Sequence, residues 1–158
     1  MNEVPGRSFQ IRAFMFFVLL TLGAGVFGWV LGGISGYGDV AKPPLALPGK
    51  VFVLAWIVLH ALIGVAAYLV WNANDIDGGR VLRLYLVQLA LGSLWLFFFL
   101  RLKWRLFSFF WALLLLAVAS LVMTGFKYIR KPAYLLTIPY FAWNIYLAYL
   151  NLGVYLLN

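Results

Sequence analysis

The chain has no cysteine and few charged side chains, and both scarcities exclude whole classes of protein. Without cysteine it can form neither a disulfide nor a thiolate metal site. Only 10% of its 158 residues are charged, 66% are hydrophobic, and the mean hydropathy is +1.00. Soluble globular domains carry about 25% charged residues, so the composition predicts a membrane protein.

Charge is missing above all from five long blocks of sequence. A helix needs roughly 20 predominantly apolar residues to cross the hydrocarbon core of a bilayer. The uncharged blocks cover approximately residues 13–34, 51–71, 84–100, 106–126 and 133–157. The third is the shortest and needs its flanking arginines to reach toward the headgroups. Because five helices use most of the chain, we predict one domain over residues 1–158, an all-α five-transmembrane-helix bundle.

The N-terminal apolar run could be mistaken for a signal peptide, because Arg7 and Arg12 precede it. It is longer than the apolar region of a typical signal peptide, and no convincing small-residue cleavage site closes it. We interpret it as the first span.

The net charge of +8 would suggest nucleic-acid binding in a soluble protein. Here the twelve basic residues lie almost entirely in loops and at span ends, where they anchor and orient a membrane protein. Seven of them fall on the side of the N-terminus and five on the other side. This difference favours a cytoplasmic N-terminus, and no nucleic-acid partner is expected.

The four predicted connections differ in length and composition. The first, residues 35–50, is the longest and contains three prolines, which disfavour a helix and stiffen the backbone. Such a loop in an otherwise economical protein is expected to be a lid or part of a site. Residues 72–79 superficially resemble a calcium loop, but Leu84 stands where a bidentate glutamate is required, so we interpret them as a polar turn. Residues 101–105 and 127–131 are predicted to be short basic connectors.

Small residues mark two places where helices can approach closely. Gly28 and Gly32 form a G-x-x-x-G pair in the first span. Packing within one chain and packing in a homodimer explain the pair equally well. Gly92 and Ser93 provide a second such place in the middle of the third span.

Helical spacing places aromatic and polar residues of three spans on one face each. The sets are Trp56, His60, Gly64 and Ala67 in the second span, Gln88, Gly92, Trp95 and Phe99 in the third, and Tyr140, Trp143, Leu147 and Asn151 in the fifth. If these faces converge, they form a cavity with flat aromatic walls and a few hydrogen-bonding groups, suited to a planar apolar ligand. Core packing of the tryptophans is the alternative.

The predicted spans contain neither a catalytic constellation nor a protein-only metal site. His60 is the only histidine, and it is either a functional group or a neutral side chain hydrogen-bonded to a neighbouring helix. Axial ligation of a metalloporphyrin by His60 is a further alternative. Gln88 and Asn151 are expected to form interhelical hydrogen bonds. No nucleophile, base and acid can be assembled, so a hydrolase or transferase is not expected.

Four short motifs make the chain similar to a known family. They are Pro139-Tyr140-x-x-Trp143 with Leu150-Asn151, Trp56 with Gly64-Val-Ala-Ala-Tyr68, Gln88-Leu89 with Trp95, and Tyr37 and Lys42-Pro43 with Pro48-Gly49. In length, five-span layout and motif order, nearly the whole chain resembles the TspO/MBR family. This family comprises the tryptophan-rich sensory proteins and the translocator proteins, or peripheral-type benzodiazepine receptors. The resemblance suggests a divergent bacterial member.

The resemblance implies a pocket, capped by the first loop, that binds porphyrins and isoquinoline-carboxamide or benzodiazepine-type drugs. Some bacterial members promote light-dependent degradation of protoporphyrin IX, and the two tryptophans implicated match Trp56 and Trp143. No cofactor is required, since a porphyrin is the ligand or substrate. The implied ligand-binding residues are Tyr37, Pro43, Trp56, His60, Gln88, Gly92, Trp95, Phe99, Tyr140, Trp143 and Leu147. Pro139 and Tyr140 are expected to shape the start of the fifth helix.

The chain departs from the family pattern in its loop and in its polar contacts. The replaced residues are two loop tryptophans at Gly36 and Leu45, a proline at Leu47, an asparagine at Gly92 and an aromatic residue at His60. No lysine or arginine follows Lys131, so the C-terminal cholesterol motif of animal members cannot form. The departures therefore change the expected ligand contacts more than the expected fold.

The leading hypothesis is a tetrapyrrole-binding membrane receptor or sensor, with photo-oxidative activity on protoporphyrin IX as an extension. One alternative is a transporter of porphyrins or similar apolar molecules, although five spans cannot form a simple even inverted repeat within one chain. Another is a structural membrane subunit. The expected location is a bacterial inner or plasma membrane.

Overall fold

A computed structural model describes residues 8–33, 37–38 and 40–158, and within these ranges every regular element is helical. Arg7, which the sequence places before the first span, lies outside the described residues. So do the start of the predicted first loop and Gly36, one of the positions where the chain departs from the family pattern.

In the described ranges, five helices follow one another in the order that the sequence predicts. They are α1 (Ile11–Gly32), α2 (Gly49–Asn72), α3 (Gly78–Leu96), which continues as a π-helical turn (Phe97–Arg101), α4 (Arg105–Ile129) and α5 (Lys131–Leu157). The largest difference from the predicted bounds is at α3, which begins at Gly78 rather than at residue 84. Arg80 and Arg83 are exposed and Val81 is buried in its first turns, so the helix includes both arginines and does not begin after them.

Four of the helices are long and apolar enough to cross a membrane: α1, α2, α3 with its π-helical turn, and α4. With 27 residues α5 is the longest, but its asparagines and tyrosines lower its mean hydropathy and it is not among the four. The protein is thus a multi-pass helical membrane protein. A fifth span formed by α5 stays a prediction.

The helices close into a ring. α1 packs against α2 and α3, α2 packs against α5, and α4 packs against both α3 and α5. The order around the ring is therefore α1, α2, α5, α4 and α3. Large side chains fill its interior, among them Ile63, Tyr85, Trp95 and Phe126, each fully buried.

The start of α5 differs from the expectation. α5 begins at Lys131 after a single extended residue, Arg130, and Pro132 occupies its first turn, where a missing N–H costs nothing. Pro139 lies about two turns inside the helix, so the prediction that it shapes the helix start was wrong. Lys127 belongs to the last turn of α4, and the predicted connector over residues 127–131 shrinks to Arg130.

The G-x-x-x-G pair of α1 packs against α3 of the same chain. A Cβ added to Gly28 would lie 3.1 Å from Ser93 Cα, and one added to Gly32 would lie 2.8 Å from the Leu96 carbonyl oxygen. The pair therefore brings the α1 and α3 backbones together. A homodimer stays a prediction, and it would need a surface other than this pair.

We expect Gly32→Ala to destabilise the protein by about 1–3 kcal/mol, because the new methyl group would press on the α3 backbone. Gly23→Ala is the matched control. Gly23 is exposed on the same helix, and a Cβ there would meet no atom within 4 Å, so its stability should be unchanged or slightly raised. Thermal unfolding in detergent, repeated at several protein concentrations, measures both effects. Equal stability of the two variants, or a Gly32→Ala effect that depends on concentration, would contradict packing within the chain.

Candidate functional site

Three tryptophans from three helices meet at the centre of the bundle. Trp56 of α2 stacks on Trp95 of α3, with ring centroids 5.8 Å apart and an interplanar angle of 21°. Trp143 of α5 meets Trp56 edge to face at 6.4 Å. The structure therefore brings together the three faces that helical spacing defines. Trp56 and Trp143 are therefore neighbours in one aromatic cluster.

Two phenylalanines extend the cluster at both ends. Phe52, one turn before Trp56, lies nearly parallel to it at 6.0 Å and contacts Trp143 at 5.0 Å. Phe99 stacks on Trp95 at 5.1 Å. Phe99 was predicted from the sequence to belong to the site, whereas Phe52 was not. Its four-residue spacing from Trp56 was the signal that could have found it.

Four buried polar atoms of this region lack a hydrogen bond. They are Nε1 of Trp56, Nε1 of Trp143 and both side-chain amide atoms of Gln88, none of which finds a partner among the described residues. Gln88 lies near the Tyr140 hydroxyl of α5 without reaching hydrogen-bond geometry. A buried polar group left unpaired costs about 1–3 kcal/mol, so helix packing alone does not account for this concentration of unpaired atoms.

Open space lies one turn along α3 from Gln88. Gly92 is buried, yet a Cβ added to it would meet no atom within 4 Å. The sequence predicted Gly92 to be a point of close helix approach, and the family resemblance implied that it is a ligand-binding position that has lost an asparagine. The structure adds room at this position, on the face that carries the unpaired amide of Gln88.

The side-chain amide of Asn151, in contrast, forms hydrogen bonds through both its oxygen and its nitrogen. Its oxygen accepts a hydrogen bond from Trp95 Nε1 at 3.2 Å, and its nitrogen donates to the Leu147 carbonyl at 2.6 Å. The expectation of an interhelical hydrogen bond is confirmed for Asn151. For Gln88 it stays a prediction, because the amide lies near the Tyr140 hydroxyl of α5 but outside hydrogen-bond geometry.

His60 lies one turn below Trp56 on the same face of α2. Its ring stacks on the Trp56 indole at 4.7 Å and meets Tyr140 edge to face at 6.0 Å. Its Nδ1 donates to the Trp56 carbonyl oxygen at 2.8 Å. The hydrogen bond is thus made within α2 and not to a neighbouring helix, as the sequence also allowed.

The first loop is tied to α5 and covers the end of the aromatic cluster. The Tyr37 hydroxyl donates to the Leu47 carbonyl at 2.9 Å, and the Leu47 N–H donates to the Tyr146 hydroxyl at 2.9 Å. The Tyr149 hydroxyl donates to the Pro44 carbonyl. The Tyr37 ring rests on Phe52 at 5.1 Å. The loop therefore closes one end of the bundle.

Pro43 occupies a tight place in the same contact. It is buried against Gly153 of α5, where a side chain in place of the glycine hydrogen would collide with the proline ring. The Asn158 amide exchanges two hydrogen bonds with the Ala41 backbone, at 3.1 and 2.9 Å. Tyr146, Tyr149 and Gly153 were not singled out in the sequence, because their partners lie about a hundred residues away in the chain.

Comparison with known proteins decides the family. The sequence profile of the TspO/MBR family matches residues 17–156, which include every helix except the first turns of α1 and the last residue of α5. The chain belongs to the TspO/MBR family. Its aromatic cluster contains Trp56 and Trp143, two of the tryptophans on which the sequence resemblance rests.

Relatives of this TspO/MBR protein come from all three domains of life. A tryptophan-rich protein TspO of Archaeoglobus fulgidus is 32% identical over 122 residues, covering 77% of this chain and 79% of that protein. Translocator protein 2 of Mus musculus is 34% identical over 111 residues, covering 66% and 67%. A tryptophan-rich protein TspO of Chlorobaculum tepidum is 31% identical over 126 residues, covering 77% and 78%.

The two buried amides should respond differently to substitution. We expect Asn151→Leu to destabilise the ligand-free protein by about 1–3 kcal/mol, because it leaves Trp95 Nε1 without its acceptor. Gln88→Met, which removes an amide that has no partner, should leave stability unchanged or raise it. Thermal unfolding of both variants in one detergent is the measurement. Similar losses in the two variants would show that Gln88 is paired after all.

We expect the hydrogen bond from the Tyr37 hydroxyl to the Leu47 carbonyl to weaken at alkaline pH. Burial, together with the neighbouring Tyr146, raises the pKa of Tyr37 from 10.0 to about 12. The fold thus favours the protonated phenol, and this stabilisation is complete below pH 10 and is lost as the pH rises from 10 toward 12. Wild type should therefore lose stability relative to Tyr37→Phe in that window and not below it. Chemical denaturation of both proteins across the pH range measures the difference, and a constant difference up to pH 12 would contradict the assignment.

Proposed function

We propose that this TspO/MBR protein is a membrane receptor or sensor that binds a planar tetrapyrrole, such as protoporphyrin IX, inside the helix bundle. The observation that carries the proposal is the group of unpaired atoms at Trp56, Trp143 and Gln88 in the aromatic cluster, together with the open space at Gly92, one turn along α3 from Gln88. On this proposal α5 is the fifth span, the first loop is the lid, and the protein resides in a bacterial plasma membrane.

Hydrogen-bond chemistry supports a ligand that carries acceptor atoms. The two indole N–H groups are donors only, and the Gln88 amide can both donate and accept. A tetrapyrrole offers imine nitrogens and carboxylate oxygens as acceptors and pyrrole N–H groups as donors. Its flat macrocycle also suits an environment in which Phe52, Trp56, Trp95 and Phe99 present nearly parallel rings.

The charge at the loop end supports a ligand with acidic groups. A cavity of about 460 Å³ under the first loop is lined by Lys42 and Lys50 together with the rings of Trp29 and Tyr37. Lys42 Nζ lies 5.1 Å from the Tyr37 ring centroid and donates to the Val40 carbonyl oxygen at 2.9 Å, which positions the cation. The propionates of a porphyrin could pair with these ammonium groups while the macrocycle enters the bundle.

Light-dependent oxidation of the bound porphyrin is the activity we propose as an extension. The light-excited macrocycle would take one electron from the Trp143 indole and pass it to dioxygen, which becomes superoxide. The indole radical cation would then regain an electron from the macrocycle, so that the net step moves one electron from the porphyrin to dioxygen. The buried position of the cluster would protect the resulting radicals from water.

Binding is tested by titrating the detergent-solubilised protein with protoporphyrin IX and following tryptophan fluorescence. We expect saturable quenching, and we expect Gly92→Leu to weaken it at least about tenfold, because the leucine side chain fills the open space. Gly23→Leu is the matched control, since it adds the same side chain at an exposed glycine that also has no neighbour within 4 Å. Trp143→Phe should weaken binding about two- to tenfold through one lost hydrogen bond.

Illumination of the same samples separates the functional classes. Loss of porphyrin absorbance in wild type, but not in Trp143→Phe saturated with porphyrin, would support photo-oxidation. Binding without bleaching would leave a receptor, and saturable porphyrin uptake by proteoliposomes would favour a transporter. Absence of saturable quenching would overturn the binding proposal and leave a structural subunit.

A further inference from the structure

Basic residues are concentrated where α3 ends and α4 begins. In residues 101–105, which we call the α3–α4 connector, three side chains are cationic: Arg101, Lys103 and Arg105. Within the described ranges the acidic residues are Asp75 and Asp77, and both lie in the α2–α3 connection at the opposite end of the bundle. No described residue forms an ion pair or a side-chain hydrogen bond with the three cations. The connector therefore carries three positive charges without a partner in the described part of the chain.

Aromatic packing holds the connector in a fixed shape. Lys103 has a φ of 55°, in the left-handed region that residues other than glycine seldom adopt. Phe98 of the π-helical turn and Trp104, which lie before and after it in the chain, stack at 6.1 Å with an interplanar angle of 9°. Phe98 also meets Trp111 of α4 at 4.8 Å, and Trp111 Nε1 donates to the Leu91 carbonyl oxygen at 2.8 Å. The backbone that carries the cations is thus held by contacts with both helices.

A cavity of about 450 Å³ lies beside the connector. Its lining combines one cation, Arg105, with four large apolar side chains, those of Trp104, Leu106, Phe107 and Phe110. Each of the four is between 42% and 58% exposed, so they face the bilayer and not the interior of the bundle. Phe110 lies about 7.5 Å further along α4 than Arg105, since a helix rises about 1.5 Å per residue. The cavity is therefore charged at its headgroup end and apolar toward the hydrocarbon.

We propose that the α3–α4 connector binds one anionic phospholipid. The phosphate diester lies among Arg101, Lys103 and Arg105, whose side chains donate charge-assisted hydrogen bonds to its oxygens. One acyl chain lies in the cavity against Trp104 and Phe110. The fixed backbone keeps the three cations together at the mouth of the cavity, so a single lipid can contact both the cations and the apolar wall.

The charge and the apolar lining together select this ligand. A zwitterionic phospholipid would bring an ammonium group to a place that already holds three cations. A free phosphate ion would interact with the cations but not with the apolar lining. An anionic phospholipid interacts with both, and attraction to anionic lipid grows with each lysine or arginine near the membrane surface. The lipid site shares no residue with the proposed porphyrin site, so the inference goes beyond that function.

The test uses phosphatidylglycerol with a photoactivatable diazirine in one acyl chain, and as a control phosphatidylcholine with the same chains. Each is added as a minor component to phosphatidylcholine proteoliposomes that contain the full chain. We expect phosphatidylglycerol to label residues 104–110 at least about fivefold more strongly than the control lipid. Equal labelling of this segment by the two lipids would overturn the proposal.

Inorganic phosphate separates a lipid site from an ion site. An excess of it should reduce labelling no more than sodium chloride of the same ionic strength, because only screening acts on the bound lipid. A larger reduction by phosphate would show that a free ion competes for the cations, and it would overturn the assignment of the cavity to an acyl chain.

A charge-removing variant tests the three cations. The combination of Arg101→Gln, Lys103→Gln and Arg105→Gln should abolish the preference, so that both lipids label residues 104–110 equally. The fold should survive, because the three side chains are exposed or half-buried, and thermal unfolding in detergent checks this. A preference that persists in the folded variant would overturn the assignment of the cations.

The end of α4 and the start of α5 provide the matched control, since they also carry three cations, Lys127, Arg130 and Lys131. Changing all three to glutamine removes the same charge at the opposite end of the bundle. This variant should keep the wild-type preference for phosphatidylglycerol at residues 104–110. Loss of the preference in both variants would indicate a general attraction between a basic protein and an anionic membrane, and it would overturn a specific site.

Discussion

Close contact between helix backbones at glycine is the constraint on which the bundle depends. Inside a bilayer the lipid tails are as apolar as the helices, so association relies on packing and not on the hydrophobic effect. Gly32 lets α1 touch the α3 backbone at Leu96, and Gly64 lets α2 touch α1, where an added Cβ would lie 3.0 Å from the Phe17 carbonyl oxygen. These two contacts hold α1 against both of its neighbours. They also set the spacing at which Trp56 and Trp95 can stack.

Within this frame the polar groups fall into two kinds. Some are paired inside the chain, such as Asn151 with Trp95 and Ser93 with the Ala24 carbonyl, and they link helices. Others, at Trp56, Trp143 and Gln88, are buried without a partner. Folding alone does not favour the second kind, because an apolar residue of similar shape would be less costly. Their concentration around one aromatic cluster is the feature that supports the proposed ligand site.

The sequence allowed the number and order of the helices to be predicted, because absence of charge over about 20 residues is a strong signal in a membrane protein. Four-residue spacing also placed Trp56, Trp95 and Trp143 on faces that the structure brings together. It could not distinguish Gln88 from Asn151, since both are amides on inward faces and only the positions of neighbouring helices decide which one is paired. The ties between the first loop and Tyr146 were equally hidden, because they join segments about a hundred residues apart.

The single-residue connection at Arg130 has a consequence for how the molecule assembles. α4 and α5 are joined so tightly that they must pair as an antiparallel hairpin, with contacts that are local in the chain. Local contacts form early because they require little loop closure. The contacts of α2 with α5 and of the first loop with the end of α5 join distant segments and must form later. The aromatic cluster would then be completed in the last steps of assembly, when a preformed hairpin receives the first three helices.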